Sequence, residues 1–451
     1  MLKRIFNYII IPTLILFCSA SIYAQSNFKL INNTKKQSIS FKLINNLVII
    51  PIKVNGKELN FILDSGVGIT ILFNIQNKDS LNLNNVKKIK LKGLGNYAAI
   101  DAVLSKGNNF KLKNIVGVNQ NLYVIFDESF DLSAKLGITV HGIIGYQILK
   151  DFVVKINYGT KRISFYKNDS YTYKSCKKCE TFELEFNKLK PYINVGVRMN
   201  HSSNKITPVK LLIDSGGSDA MWLFENSKPE LIVPKQSFND FLGEGLSGAI
   251  HGKRSIIKEL ILGKFVLKNP TVSFPDSISI AHALKFKERN GSVGASILKR
   301  FNVIFDYKGR KITLKKGSSY KAPFRYNMSG IELVYNGKLL VLEQDYSQVG
   351  LHSKQGSTLT NRIVLDYNYS FKPTYKIFKI RTGSPADFAG LKENDIVIKI
   401  NGQYTYNLKL GEIVEKFYQK ENKKINLVIE RNGKNYEYRF KLKNLLLPSK
   451  E

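Results

Sequence analysis

Short apolar runs separated by turn residues dominate this chain. Segments such as VIIPIKVNGKELNFIL and FNVIFDYKGRKITL join two apolar stretches through Asn-Gly or Lys-Gly, which are turn signals between strands. Patterns with the period of an amphipathic helix are scarce along the chain. The hydrophobic pattern therefore predicts a mainly β protein, built from barrels or sandwiches rather than from βαβ units.

The sequence also repeats itself. The segment FILDSGVGIT matches LLIDSGGSDA, which places Asp64 and Asp214 150 residues apart. Each Asp is followed 29 residues later by a Gly-x-Gly, at Gly93 and at Gly243. A third pair of matching segments, HGIIGYQILKDF and NGSVGASILKRF, follows at a near-equal distance in each half. Three landmarks in the same order predict that one domain is present twice.

The repeat divides the 451 residues into lobes and a C-terminal module. We expect an N-terminal lobe over 25–168, a linker over 169–180 and a second lobe over 181–318. A separate module is expected over 322–446, where the pattern changes. At ~150 residues for each domain, this length accommodates about three domains.

The first 24 residues have the pattern of a secretory signal peptide. Lys3 and Arg4 precede an apolar run that ends at Phe17, and Ala24 supplies a small residue for cleavage. A buried strand or an uncleaved anchor is the alternative, but the run is shorter than the ~20 residues of a spanning helix. Cys18 suggests lipid anchoring, which Phe17 disfavours because a lipoprotein site has a small residue there. We expect an exported protein, periplasmic or extracellular, with no transmembrane span in the mature chain.

The formal net charge of +34 raises the question of a nucleic-acid partner. The lysines are scattered along the whole chain among Asn and Ile, without an Arg-rich or aromatic-interleaved stripe. This distribution favours solvated faces over a nucleic-acid surface, and attraction to anionic cell-surface polymers stays open. We therefore expect no nucleic-acid partner. The sequence does not show which lysines line a binding cleft.

Two cysteines, Cys176 and Cys179, form a CxxC pair in the expected linker. A structural zinc site needs four ligands, and the sequence contains no second pair. The pair is interpreted as a local disulfide or as two free thiols. The sequence also has no HExxH, phosphate-loop or GxSxG motif, so no metal or cofactor is expected.

The Asp-Ser-Gly motif in each repeat is the main candidate for chemistry. Asp64 and Asp214 each follow three large apolar residues, which places a carboxylate at the end of a buried strand, where an unpaired charge is costly. Two such carboxyl groups in contact share a proton, so that one acts as a base and the other as an acid on a common water. Two structural turns in a duplicated binding protein are the alternative.

The neighbouring residues suit a site of this kind. Gly66 and Gly216 allow a tight turn and a close approach of the backbone. Ser65 and Ser215 are expected to form hydrogen bonds across the two halves and to hold both loops rigid.

These features resemble the pepsin and retropepsin clan of aspartic peptidases, over residues 38–318. That clan has Asp-Thr/Ser-Gly in each half and a later apolar-apolar-Gly, which Ile143-Ile144-Gly145 matches well and Ser292-Val293-Gly294 matches less well. The resemblance implies a bilobal, pepsin-like double β-barrel. It also implies a lytic water held by Asp64 and Asp214, a peptide or protein substrate, and a monomer, because one chain carries both aspartates.

The glycine-rich segments have a separate interpretation. GEGLSG, over 243–248, fits the G-x-G-x-x-G dinucleotide pattern, but no clean helical face follows it, so a hairpin tip is predicted. By resemblance to the clan, the sister segment over 93–98 is the flap that closes over the substrate. Its candidate residues are Gly95 and Tyr97.

The segment FKIRTGSPADFAGLKENDIVIKINGQ, over 378–403, resembles bacterial PDZ domains, which have an α+β fold. A stretch before it resembles the loop whose backbone N–H groups bind a peptide carboxylate in that family. The resemblance implies that protein C-termini are ligands of this loop, and an insertion is expected over 342–376. A PDZ module that only packs against the lobes is the alternative. The loop residues implied are Ser329, Gly330, Ile331 and Glu332.

Together these patterns predict an exported aspartic endopeptidase whose PDZ module binds peptides or regulates access. The alternative is a non-catalytic exported peptide-binding or scaffold protein that keeps the Asp pair for structure. A processing enzyme of narrow selectivity lies between the two.

Overall fold

The computed structural model describes residues 27–75, 81–95, 99–127, 132–200, 204–351 and 360–446. The predicted signal peptide and Tyr97 lie outside these residues. Strands dominate the described part, which confirms the mainly β prediction. No helix in the described ranges is long and apolar enough to cross a membrane.

The N-terminal half consists of short strands and two short helices. Asn55 and Gly56, both with positive φ, form the two-residue turn of the first long hairpin, as the Asn-Gly signal predicts. The strands are β1 (Phe28–Leu30), β2 (Lys36–Ser40), β3 (Lys42–Ile44), β4 (Leu47–Val54), β5 (Lys57–Leu63), β6 (Thr70–Leu72), β7 (Lys87–Leu91), β8 (Ile100–Leu112), β9 (Ile115–Ile125), β10 (Gly142–Ile144), β11 (Phe152–Asn157) and β12 (Arg162–Lys167). The helices are α1 (Leu132–Leu136) and α2 (Tyr146–Leu149).

The C-terminal half repeats this plan. Cys176 and Cys179 form a disulfide, and the first strand of this half begins at Cys179, inside the expected linker. The elements are β13 (Cys179–Glu183), β14 (Glu185–Asn187), β15 (Lys190–Arg198), β16 (Thr207–Asp214), β17 (Met221–Leu223), β18 (Phe238–Gly245), β19 (Gly248–Ile256), β20 (Glu259–Leu262), β21 (Phe265–Lys268), β22 (Thr271–Pro275), β23 (Arg289–Gly294), α3 (Ala295–Leu298), β24 (Phe301–Asp306) and β25 (Lys311–Lys316).

The two halves have matching sheet topology. In the first half β10 lies between β5 and β6, parallel to β5 and antiparallel to β6. In the second half β23 lies in the same way between β16 and β17. This correspondence confirms the duplication that the sequence predicts.

A third sheet joins the halves, in the order β13-β25-β24-β11-β12-β2. Its central pair is β11 with β24, one strand from each copy of the third sequence landmark. Large apolar side chains of both halves, including Phe165 and Phe305, pack in one buried cluster. The result is the bilobal fold with a shared base, and the Asp-Ser-Gly loops lie at the ends of β5 and β16.

The C-terminal module has a separate core around Ile377 and Phe417. Ser384 caps its first helix by accepting a hydrogen bond from the N–H of Asp387, with Pro385 at the next position, as the Gly-Ser-Pro pattern suggests. The elements are β26 (Ile331–Leu351), β27 (Thr360–Ile380), α4 (Pro385–Phe388), β28 (Ile396–Ile400), β29 (Gln403–Tyr404), α5 (Leu410–Glu415), β30 (Lys424–Arg431) and β31 (Lys434–Lys441).

The described residues of the insertion expected over 342–376 belong to two long antiparallel strands. β26 and β27 continue beyond the body of the module and stay paired as far as Leu351 with Thr360.

Candidate active site

The two Asp-Ser-Gly loops meet between the lobes and hold each other by reciprocal hydrogen bonds. The N–H of Ser65 donates to Oγ of Ser215 at 2.9 Å, and the N–H of Ser215 donates to Oγ of Ser65 at 3.0 Å. Each hydroxyl in turn donates to a carbonyl of the opposite half, Ser65 to Ile213 at 2.7 Å and Ser215 to Leu63 at 2.9 Å. Both serines are buried, so this arrangement fixes the loops in the way the sequence predicts.

Both carboxylates border the same small space. A methyl group at Gly216 would lie 2.3 Å from Cγ of Asp64, and one at Gly66 would lie 3.4 Å from Oδ1 of Asp214. Each loop glycine therefore contacts the carboxylate of the other half as well as its own. The chain needs glycine at these positions because a side chain would displace the acid groups.

Backbone N–H groups bind both carboxylates. Oδ1 of Asp64 accepts a hydrogen bond from the N–H of Gly66 at 2.6 Å, and the N–H of Gly216 also interacts with this carboxylate. Oδ1 of Asp214 accepts two, from Gly216 at 3.1 Å and from Gly217 at 2.9 Å. Hydrogen bonds from N–H groups stabilise the charged form of a carboxylate. The backbone donors therefore stabilise negative charge on the pair.

Burial, followed by the charge of Asp214, raises the pKa of Asp64 to about 7. The N–H of Gly66, the ammonium group of Lys190 and the N–H of Gly216 oppose this shift in the pKa without cancelling it. A carboxyl group with this pKa keeps its proton over the acidic range and loses it as the pH rises through about 7. The arrangement can therefore present an acid and a base to one water molecule.

The apolar-apolar-Gly segments support both loops from beneath. In β10, Ile144 pairs with Leu63, and its carbonyl accepts a hydrogen bond from the N–H of Asp64 at 2.8 Å. In β23, Gly294 pairs with Asp214 itself. The segment Ser292-Val293-Gly294, which is the weaker sequence match, therefore occupies the same position in its half as Ile143-Ile144-Gly145 does in the other.

The Gly-x-Gly segments of the two halves meet above the site. The N–H of Ser247 donates to the carbonyl of Leu94 at 2.8 Å, and the N–H of Gly93 donates to Oγ of Ser247 at 3.1 Å. Gly95 has φ +122°, and a methyl group there would lie 2.2 Å from the carbonyl oxygen of Ser247. The segment over 243–248 is a hairpin tip between β18 and β19, as predicted.

The sequence assigned a flap only to the N-terminal half. In the structure, residues 93–95 of one half meet residues 243–248 of the other, and residues of both segments line the cleft that contains the aspartates; we call these two segments the roof of the cleft. The sequence analysis did not identify Ser247 as a residue that joins the two segments. The available signal was its position in GEGLSG, which corresponds to the flap segment of the other half.

A cleft of about 2190 Å³ runs between the lobes beneath these tips and reaches the C-terminal module. Its lining includes both aspartates, both tips and part of α5. This volume suits an extended peptide rather than a small metabolite.

In the C-terminal module, the N–H groups assigned to a peptide carboxylate have acceptors within the module. Oδ1 of Asn327 accepts from Ser329 at 3.1 Å and from Gly330 at 3.3 Å, and Oγ of Ser329 accepts from Ile331 at 3.0 Å. A ligand carboxylate would have to replace these acceptors, so the binding role of the loop stays a prediction.

The last residue assigned to this loop, Glu332, has a perturbed carboxyl group. Burial, followed by the charge of Asp240, raises the pKa of Glu332 to about 7.

Helix α1 of the N-terminal half packs against β26, which is an edge strand of the module's described sheet. A methyl group at Gly137, just after α1, would lie 2.8 Å from Cβ of Leu410 in α5. The segment around α1 therefore lies between β26 and α5. PDZ-type modules bind extended peptides along an exposed sheet edge, so a segment of the chain itself lies beside the edge that a peptide would use.

The module also holds the hairpin that carries the C-terminal tip. In β18 the ring of Phe241 lies 6.1 Å from that of Phe378, and Asp240 forms an ion pair with Arg381 at 3.5 Å. Lys135 of α1 forms an ion pair with Glu244, three residues before Ser247. The first two contacts connect the module to this hairpin, and the third connects α1 of the N-terminal half to it.

A largely buried arginine links that hairpin to the loop of Asp214. Arg254 of β19 donates to Asp240 at 2.8 Å and to Asp219 at 3.1 Å. Asp219 follows the second Asp-Ser-Gly and also accepts hydrogen bonds from Trp222 and Ser273. This ionic connection was not predicted, because no local pattern marks a charge pair between distant strands.

Comparison with known proteins gives matches in both parts of the chain. A family model described as aspartyl protease matches residues 50–148, and one described as PDZ domain matches residues 379–431. Among solved structures, an aspartic proteinase from Irpex lacteus aligns over 64% of this chain and 99% of its own, with 11% identity and a TM-score of 0.39. The family matches confirm the resemblance to aspartyl proteases and the presence of a C-terminal PDZ domain.

Proposed function

We propose that this protein is an aspartic endopeptidase in which Asp64 and Asp214 hold and activate a water molecule. The observation that carries the proposal is the pair of part-buried carboxylates, which the reciprocal serine bonds bring together across the two halves and of which Asp64 has a raised pKa. The match to an aspartyl protease model over one half supports the same chemistry.

In the proposed mechanism Asp214 is the base and Asp64 the acid. Asp214 takes a proton from the water while the water oxygen attacks the peptide carbonyl carbon. The proton of Asp64 stabilises the oxyanion that develops on the carbonyl oxygen. The tetrahedral intermediate then collapses, and the proton held by Asp214 passes to the leaving amine. The raised pKa of Asp64 supports its role as the acid.

We further propose that the PDZ module controls access to the cleft. The contacts of β18 with β27, and of α1 with both β26 and Glu244, favour the closed arrangement of the tips. A peptide added along the edge of β26 would compete with α1 for the same space. Displacing α1 would remove the Lys135–Glu244 ion pair and loosen the roof.

We also propose that the protein acts outside the cytosol, in the periplasm or extracellularly. The N-terminal pattern supports export, and the disulfide between Cys176 and Cys179 is compatible with an oxidising compartment.

The alternative is a scaffold protein with a purely structural Asp pair. A statine-type transition-state mimic, added to the mature protein and to Asp64→Asn, separates the two by calorimetry. An enzyme should bind the tetrahedral hydroxyl at least ~100-fold more tightly than the matching substrate peptide, and the variant should lose this difference. Equal affinity of both proteins for mimic and substrate would favour the scaffold.

A further inference from the structure

Basic side chains collect on one wall of the cleft, beside the aspartates. Lys190 begins β15, directly after the hairpin turn that contains Lys188, and Arg289 begins β23. Lys285 and His282 come from the segment before β23. We refer to these five residues, all of which line the cleft, as the basic cluster: Lys188, Lys190, His282, Lys285 and Arg289.

The cluster is mutually repulsive. Burial, then Lys190, Lys285 and Lys188, lower the pKa of His282. Burial and then Arg289 lower the pKa of Lys190, which also interacts with both aspartates. These interactions place the members near one another and near the reacting centre.

The cluster lacks its own counter-charge. Within the part of the chain that the structure describes, none of its four lysine and arginine side chains forms an ion pair with a carboxylate. Elsewhere, comparable cations are neutralised; Arg254, for example, contacts both Asp219 and Asp240. The aspartate pair, which shares one proton in the proposed mechanism, supplies a single negative charge against several positive ones.

Arg289 is built into this wall rather than extended into solvent. It is only 5% exposed, its Nε donates to the carbonyl of Gly291 at 3.1 Å, and its guanidinium lies 5.0 Å from the ring centroid of Phe224. Its side chain also hydrogen-bonds to Tyr192. A fixed guanidinium is suited to binding a carboxylate with defined geometry.

We propose that the basic cluster is a substrate subsite for a peptide carboxylate next to the scissile bond. The inference rests on the proposed peptidase function and adds the substrate class, an acidic peptide. The anion is either an Asp or Glu side chain or the C-terminal carboxylate of a short peptide. Both present the same group to Lys190 and Arg289.

The test uses matched peptides that are cleaved at one bond. Each flanking position carries Glu, Gln or Lys in turn, with a free or an amidated C-terminus, and kcat and KM are measured separately for the wild type. We expect the carboxylate-bearing peptide to exceed its neutral match by about tenfold in kcat/KM, as for a charge-assisted hydrogen bond. Dependence on an internal Glu assigns a side-chain anion, and dependence on the free terminus assigns a terminal one.

Variants connect that preference to the cluster. Lys190→Gln should lower the ratio of kcat/KM for the acidic peptide to kcat/KM for the neutral peptide, with KM for the acidic peptide rising more than KM for the neutral one. Lys285→Gln provides a second substitution at an exposed position, because a change at the buried Arg289 would also alter its packing against Phe224. Lys315→Gln, an exposed change on β25 outside the cleft lining, is the control.

An alternative role for Lys190 is to tune the aspartate pair. That role predicts the same shift of the pH profile for acidic and neutral peptides, with no change in their ratio, and this result would overturn the subsite. Equal cleavage of Glu and Gln peptides by the wild type would also overturn it, while loss of cleavage in Asp64→Asn would leave the peptidase function standing. If no peptide is cleaved, the affinity of the wild type for the same peptides is measured by calorimetry. Equal affinity for the Glu and the Gln peptide would then overturn the subsite.

Discussion

Ser65 and Ser215 exchange hydrogen bonds across the boundary between the two halves, each accepting from the other's N–H at 2.9 to 3.0 Å. Each hydroxyl also donates to a carbonyl of the opposite half, so neither loop is complete without the other. The geometry of the acid pair therefore depends on the packing of both copies of the repeat.

Replacement of one serine should affect both loops. Ser65→Ala removes the acceptor of the Ser215 N–H and the donor to the Ile213 carbonyl. Because each unsatisfied buried polar group costs ~1–3 kcal/mol, we expect the free energy of unfolding to fall by at least about that amount. Chemical denaturation measures the change, with Ser318→Ala at an exposed position as the control. A Ser65→Ala protein as stable as that control would contradict the structural role.

A methyl group on a loop glycine should disable the site. At Gly216 it would lie 2.3 Å from Cγ of Asp64, so Gly216→Ala must move the carboxylate or the loop. We expect kcat to fall by at least about 100-fold, since catalysis is sensitive to ångström-scale misplacement. Gly411→Ala, which meets no atom within 4 Å, should keep full activity. Normal turnover by Gly216→Ala would show that the two carboxylates do not face each other.

The elevated pKa of Asp64 predicts a particular dependence of stability on pH. Below its unfolded value of 3.8 the group is protonated in both states, and between 3.8 and about 7 only the folded state keeps the proton. The unfolded state binds fewer protons in this window, so this group makes the protein less stable as pH rises, up to about 7. Urea titrations of the wild type and Asp64→Asn should diverge over this range, with the variant relatively more stable at high pH. A pH-independent difference would contradict the raised pKa.

The closed roof should depend on Lys135. Its ammonium forms an ion pair with Glu244 and lies 4.8 Å from the ring centroids of both Phe241 and Phe378. We expect Lys135→Gln to increase hydrogen exchange over 239–248 without unfolding the lobes. A double-mutant cycle with Glu244→Gln should give a coupling energy of at least ~0.5 kcal/mol. Unchanged hydrogen exchange, or additive effects of the two substitutions on stability, would contradict a role of Lys135 in controlling access to the cleft.

The repeat is what made the centre of the site predictable. Because Asp64 and Asp214 recur at matched positions after apolar strands, the sequence contained the pair, its glycines and its serines. The contact of the two tips was not predicted, since it joins Leu94 and Ser247 across the cleft and no local pattern reports such a distance.

The docking of α1 on β26 was missed for the same reason. Its small interface depends on how separate cores pack rather than on the period of apolar residues. The internal acceptor in the PDZ loop had a local signal: Asn327 stands two residues before Ser329, and Asn side chains commonly bond backbone N–H groups in turns.

The most direct measurement is cleavage of a diverse peptide pool by the mature protein, by Asp64→Asn and by Asp214→Asn, followed by mass spectrometry from acid to neutral pH. The account predicts cleavage by the wild type that declines as pH rises through about 7, with none by either variant. Cleavage retained by either variant would contradict a shared water between the two aspartates. A wild type that binds peptides and cleaves none would favour the scaffold.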